Sequence, residues 1–194
     1  MILPGKQIAS GRHMTGPTPE TDFVPLPESV ALSDFEFSLA ILMFGFQRWV
    51  ETCMEASGVR GIAAMDILTL HAVNRRARLS RIPEICMMMN ITDTHLIAYS
   101  LKKLVAAELV KVKQHGRERL YETTTEGDEI CLGYHKVREQ TLVPNLSWLA
   151  ERDLQIDHLT SLQRMMSAIY DQASRTAMAE YQHTEKAPPL RTKK

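Results

Sequence analysis

Two short helical patterns separated by a three-residue break, in Ser80–Leu109 (SRIPEICMMMNITDTHLIAYSLKKLVAAEL), limit the fold more than any other stretch. In the first, Ile82, Ile85, Cys86 and Met89 fall at i, i+3, i+4 and i+7, the spacing of one buried stripe. Ser80 is a candidate cap, and Pro83 is tolerated because the first turn of a helix has no amide partners to lose. Asn90-Ile91-Thr92 breaks the pattern, and Thr92 can cap a second helix. There Ile97, Leu101, Leu104 and Val105 form the inner stripe. His95, Tyr99, Lys102 and Lys103 fall together on the opposite face. A helix held down on one side, with a His, a Tyr and two Lys on the other, suits the major groove of DNA.

The stretch after this helix strengthens that reading. Leu109–Lys113 alternates apolar and basic residues as a half-buried strand does. Gln114–Arg119 reads as a polar turn containing Gly116, and Leu120–Thr123 can return as a second strand. Helix, turn, helix and basic-tipped hairpin is the order of a winged helix. The fold class expected is mainly α with a small β-wing.

Through TDTHLIAYSLKKLVAAELVKV and the wing exit Thr125-Glu126-Gly127, the sequence resembles the MarR family of bacterial transcription regulators. The resemblance runs from about Ser33 to Tyr181. It departs from the family at the wing, where Arg117-Glu118-Arg119 is kept and a leading Asp is absent. A looser similarity, through RWVETCM and DTHLIAYSLKKL, is to an alphaproteobacterial branch that regulates cell-wall remodelling. The resemblance implies a homodimeric regulator of double-stranded DNA. Its expected DNA-binding residues are Thr92, Thr94, His95, Tyr99, Lys102, Lys103, Lys113, His115, Arg117 and Arg119. It also implies a small aromatic effector held between dimer helices and DNA-reading unit. Trp49, Cys53, Met65, Thr69 and His71 could line such a crevice, with thiol oxidation at Cys53 as another trigger. For His71 and Cys53 plain core packing competes with these roles.

The 194 residues hold 23 basic and 23 acidic side chains, so overall charge carries no nucleic-acid signal. Their distribution does. Four Arg and no acid lie between Arg75 and Arg81, and Lys102–Arg119 carries six Lys or Arg against two Glu. Local basic segments of this kind attract phosphates, although Arg75–Arg78 is also what a solvated helix end looks like.

The flanks read as assembly elements. Residues 1–31 are rich in Pro, Gly, Thr and Ser and read as a flexible arm, and 183–194 as a disordered tail. Between them, 32–182 form one domain, with 60–124 as the reading unit and 33–57 and 125–182 as dimerisation helices. Ser33-Asp34-Phe35-Glu36 matches a capping box, and Gly58 a stop. From Phe35 to Ala56 a seam recurs at spacings 4, 3, 4, 3, 4, 3 through Leu39, Leu42, Phe46, Trp49 and Cys53. A second helix is expected over Gly61–Ala77, with Met65, Leu68 and Ala72 inward. After the wing, Thr125 should cap a helix to about Ala150, kinked at Pro144. Asp157 should cap a last helix striped by Leu159, Leu162, Met166, Ile169, Ala173 and Ala177.

There is no G-x-S-x-G, Gly-rich phosphate loop, H-E-x-x-H or paired Cys. An enzyme is not expected, and neither a cofactor nor a metal. No apolar run approaches the roughly 20 residues that span a bilayer, so a cytoplasmic chain without a membrane partner is expected. A winged-helix interaction module without DNA binding is the competing reading.

Overall fold

A computed structural model describes residues 26, 28–75, 80–146 and 155–183. The expected arm up to residue 25, most of the Arg75–Arg78 run, 147–154 and the tail from 184 lie outside the described residues. The elements are α1 (Glu28–Ala56), α2 (Ala64–Asn74), α3 (Ile82–Met89), α4 (Thr94–Ala106), β1 (Val110–His115), β2 (Glu118–Thr123), α5 (Thr125–Thr141), a short 3-10 turn (Val143–Leu146) and α6 (Ile156–His183). The chain divides into two units, Met1–Gly45 and Phe46–Lys194, and the division falls inside α1.

In the first unit α1 starts at Glu28, not at Ser33. The Ser33 hydroxyl donates to the Ser29 carbonyl at 3.0 Å, so it bonds back into the preceding turn instead of capping. Val30, Phe37, Ile41 and Phe44 are exposed. By length and composition α1 could cross a membrane, since it holds an 18-residue window of mean hydropathy 1.5. This differs from the expectation that no apolar run is long enough, because the window tolerates scattered charges. An apolar helix that meets a protein partner passes the same test.

The second unit is built around α4. Ile97, Leu101 and Leu104 are fully buried, as the inner stripe requires, and each contributes about 2 kcal/mol through burial. They meet Ile67, Leu70 and Val73 of α2, Ile85 and Cys86 of α3, and Val50, Cys53 and Met54 of α1 in one core. In α2 the expected core positions are only partly right. Ala72 is buried and Met65 packs half-buried on the core, Leu68 is half-buried outside that cluster, and Ile67, Leu70 and Val73 go deepest.

Several helix starts differ from expectation by one to three residues. Ser80 pairs with Tyr121 through two 2.9 Å backbone bonds, as a one-residue third strand, so Arg81 takes the cap position of α3. Asp93 rather than Thr92 caps α4, its Oδ1 accepting from the His95 amide at 2.9 Å. Thr124 rather than Thr125 caps α5. The start of α2 is capped from a distance: the Ala64 amide donates to Glu51 Oε1 at 2.9 Å. At the other end of α5, Pro144 does not kink the helix. The helix stops at Thr141 and Pro144 sits in the 3-10 turn, because a proline there has no amide to continue the ladder.

The wing is a two-stranded antiparallel hairpin in the register Val110↔Thr123 to His115↔Glu118. Its turn is shorter than expected. Only Gly116 and Arg117 form it, and Gly116 supplies a φ of 60° that a two-residue turn favours. His115 and Arg119 therefore belong to strands. In α6, Leu159, Leu162 and Ile169 are exposed and Met166 is half-buried. Asn90, at the left-handed end of α3, donates to Ser167 Oγ and Asp171 Oδ2 of α6 at 3.1 and 3.3 Å.

Candidate nucleic-acid interface

The buried stripe of α4 fixes what its other side presents. His95, Tyr99 and Lys102 are exposed, and Thr94 stands at the first helical position beside exposed Thr92. Lys103 is on this side too, but it is already engaged. Its Nζ donates to Asp66 Oδ2 of α2 at 2.8 Å and lies 4.9 Å above the Tyr99 ring. The bond to Asp66 raises the Lys103 pKa.

On the wing, Arg117 at the turn and Arg119 on β2 are exposed and have no ion pair among the described residues. Lys113 is bound within the hairpin. With Lys111 it donates to Glu122 Oε1, at 2.6 and 3.1 Å, and these bonds lower the Glu122 pKa. Arg81 and Glu118 pair at 2.8 Å and tie the wing to the start of α3. Beneath that pair, a cleft of about 540 Å³ separates α4 from the wing, floored by Ala98, Leu101, Val105 and Val112. Among the described residues, the outward cations of α4 and the wing without an ion pair are thus Lys102, Arg117 and Arg119. Lys103 and Lys113 would have to leave acids to meet phosphate.

The expected effector residues converge only in part, and around a residue that the sequence reading does not single out. Tyr134 of α5 stands edge-on to Trp49 with ring centroids 5.5 Å apart, and lies 4.3 Å from the His71 ring. The Cys53 thiol donates to the Tyr134 carbonyl at 3.5 Å. His135, also missed, has its ring 5.7 Å from His71. The signal was faint: an aromatic pair within an otherwise polar helix. Thr69 is fully buried with its hydroxyl on the Met65 carbonyl, and Met65 packs on the core. His71 Nε2 is buried with no hydrogen-bond partner among the described residues. Burial first, then the charges of His135 and Arg138, lower the His71 pKa to about 4. Burial pushes the Tyr134 hydroxyl up to about 12, the Cys131 thiol up to about 12, and raises Cys53 and Cys86 as well. Thiolate chemistry is therefore disfavoured at all three cysteines.

Residues 63–127 match a family model described as a winged helix DNA-binding domain. No curated protein matches. Among solved structures, a MarR family transcription regulator is similar at TM-score 0.55 and 16% identity, over 78% of this chain and 95% of its own. A mutant MarR from E. coli complexed with operator DNA is similar at 0.54 and 17%, over 75% and 99%. Staphylococcus aureus MarR in complex with salicylate and kanamycin is similar at 0.52 and 16%, over 76% and 95%. At these identities the likeness is one of fold: a winged helix between long flanking helices.

Proposed function

We propose that this winged-helix chain of MarR-like fold is a cytoplasmic, homodimeric, sequence-specific DNA-binding transcription regulator and not an enzyme. One observation carries the reading. An α4 anchored by Ile97, Leu101 and Leu104 turns His95, Tyr99 and Lys102 outward, beside a wing that offers Arg117 and Arg119. Such a helix reads base edges in the major groove, while the wing cations meet the adjacent backbone or minor groove. An interaction module would call for an apolar outer face on α4, whereas here exposed Leu96 is flanked by His95, Tyr99, Lys102 and Lys103. Replacing Lys102 or Arg117 by Ala is expected to weaken binding roughly tenfold each and to lower the salt slope by about one. The probe is a duplex selected by the protein from a random pool. A folded double variant with unchanged affinity would remove this surface from the mechanism.

The partner for the exposed apolar faces, on α1 (Val30, Phe37, Ile41, Phe44) and on α6 (Leu159, Leu162, Ile169), is in this reading a second copy. Light scattering at micromolar concentration should give twice the 22.0 kDa of one chain. The dimer should read two half-sites whose centres lie about one helical turn, or a multiple, apart. A 22.0 kDa particle that binds DNA would contradict the assembly.

Control by a small aromatic effector completes the proposal. The Trp49, Tyr134 and His71 rings form an aromatic wall, and His71 Nε2, without a hydrogen-bond partner among the described residues, offers a polar anchor. The raised Cys53 pKa favours ligand over oxidation as the trigger. One structure of similar fold holds salicylate, the kind of molecule that suits such a wall. The ligand releases DNA only in so far as it prefers the released state.

A further inference from the structure

The Lys103 ammonium joins two groups with different fates. Asp66 Oδ2, 2.8 Å away, belongs to a carboxylate side chain only 3% exposed, at the start of α2. The Tyr99 ring, 4.9 Å below the same nitrogen, is exposed on the outer face of α4. To reach a phosphate, Lys103 would have to leave Asp66 buried and unpaired, which is strongly unfavourable. Lys102 has no such tie among the described residues.

We propose that Asp66, acting through Lys103, positions Tyr99 and the roll of α4, and so sets the preference for operator over unrelated DNA without touching DNA itself. The inference rests on the DNA-binding reading above. The physical route is short. The ion pair bolts one side of α4 to α2 across the helix–helix packing, and the same cation covers one face of the Tyr99 ring. That leaves the hydroxyl and the other ring face to meet a base edge. With the bolt removed, α4 keeps its apolar anchor but loses a fixed rotation about its axis. A small error there moves every outward side chain against the groove, and base readout depends on that geometry more than phosphate attraction does.

The test compares binding of a duplex that the parent protein selects from a random pool with binding of a scrambled duplex, across a salt series. Lys103→Met should cut the ratio of selected- to scrambled-duplex affinity about tenfold, over and above the equal loss that removing one positive charge from this face brings to both duplexes. Lys102→Met, as a contrast, should weaken both duplexes and lower the slope by about one. Lys103→Arg, which can still pair with Asp66, should restore the preference. The double variant Asp66→Asn/Lys103→Met separates positioning from stability, because it no longer leaves a buried charge alone. It should melt closer to the parent than Lys103→Met and still show the reduced preference. The inference fails if Lys103→Met weakens both duplexes alike with a shallower slope, if it changes neither, or if the double variant regains the preference. Selection of no sequence by the parent would instead sink the DNA-binding reading, and the inference with it.

Discussion

Gly127→Ala is expected to destabilise the protein by about 3 kcal/mol or more, near the top of the range for overpacked sites. A Cβ built at Gly127 collides with the Leu109 carbonyl oxygen and lies 3.1 Å from its carbonyl carbon. Both are backbone atoms, so no side-chain rotation relieves the clash. The surroundings are equally committed. The Thr124 amide donates to that Leu109 oxygen at 3.1 Å, and the Thr124 hydroxyl donates to the Glu108 carbonyl at 2.7 Å while accepting from the Gly127 amide at 3.0 Å. This small knot sews the start of α5 to the turn between α4 and β1. Moving α5 away to make room would break the knot and expose Leu109 and Val110, which are 3% and 2% accessible. Urea unfolding should show a lower midpoint at unchanged slope. Gly133→Ala in the middle of α5 is the contrast. The atoms nearest its added carbon are Ser57 side-chain atoms at 3.3 and 3.5 Å and the Ser57 Cα at 3.8 Å, and the helix gains about 1 kcal/mol from alanine, so the net change should be near zero. Equal stability for Gly127→Ala and the parent would mean that α5 is not locked to the reading unit in this way. The glycine of the Thr125-Glu126-Gly127 motif thus has a packing reason of its own.

What the sequence made legible was local. The two faces of α4 lie within thirteen residues, and the burial of Ile97, Leu101 and Leu104 obeys the 3.6-residue period directly. Gly116 marked the wing turn because it supplies a backbone shape that other residues resist. Partners remote in sequence were not legible. Ser80 looked like a cap until its pairing with Tyr121 drew it into the sheet, and Glu51 caps α2 from thirteen residues upstream. Lys103 looked like a free cation because Asp66 lies 37 residues away. The Lys113 pairing is different. With the turn placed at Gly116-Arg117, Lys111 falls opposite Glu122 and Lys113 within diagonal reach, so the hairpin register alone could have removed it from the outward cations. The aromatic cluster failed for the general reason: Trp49, His71 and Tyr134 come from three helices, and no single-helix pattern announces their meeting.

Acidification is expected to cost the folded state about 2 kcal/mol at one residue, His71. In the unfolded chain its imidazole titrates near the ordinary 6.5, whereas burial, then the charges of His135 and Arg138, hold it down to about 4 in the fold. Above pH 6.5 the residue is neutral in both states and contributes no pH dependence. Between about 6.5 and 4 the unfolded chain takes up a proton that the folded chain refuses, so stability falls as the pH falls, by about 1.4 kcal/mol per unit. The interval gives a ceiling of about 3 kcal/mol, which partial exposure of the ring reduces toward about 2. The groups of the cluster are Tyr134, His135 and Arg138 of α5 with Trp49 and Cys53 of α1, and none is a carboxylate that could welcome the charge. A proton taken up by His71 in the fold, near pH 4, would strain the contact between α2, which belongs to the reading unit, and α5, which leads out of it. Chemical denaturation of parent and His71→Gln at intervals from pH 7.5 to 4.5 isolates this effect, since the two proteins differ at His71 alone. The stability difference should shift in favour of His71→Gln as the pH drops, by about 2 kcal/mol across the range. A difference that stays constant with pH would mean that His71 takes up its proton as readily in the fold as out of it, and that the α2–α5 contact is not where acid acts.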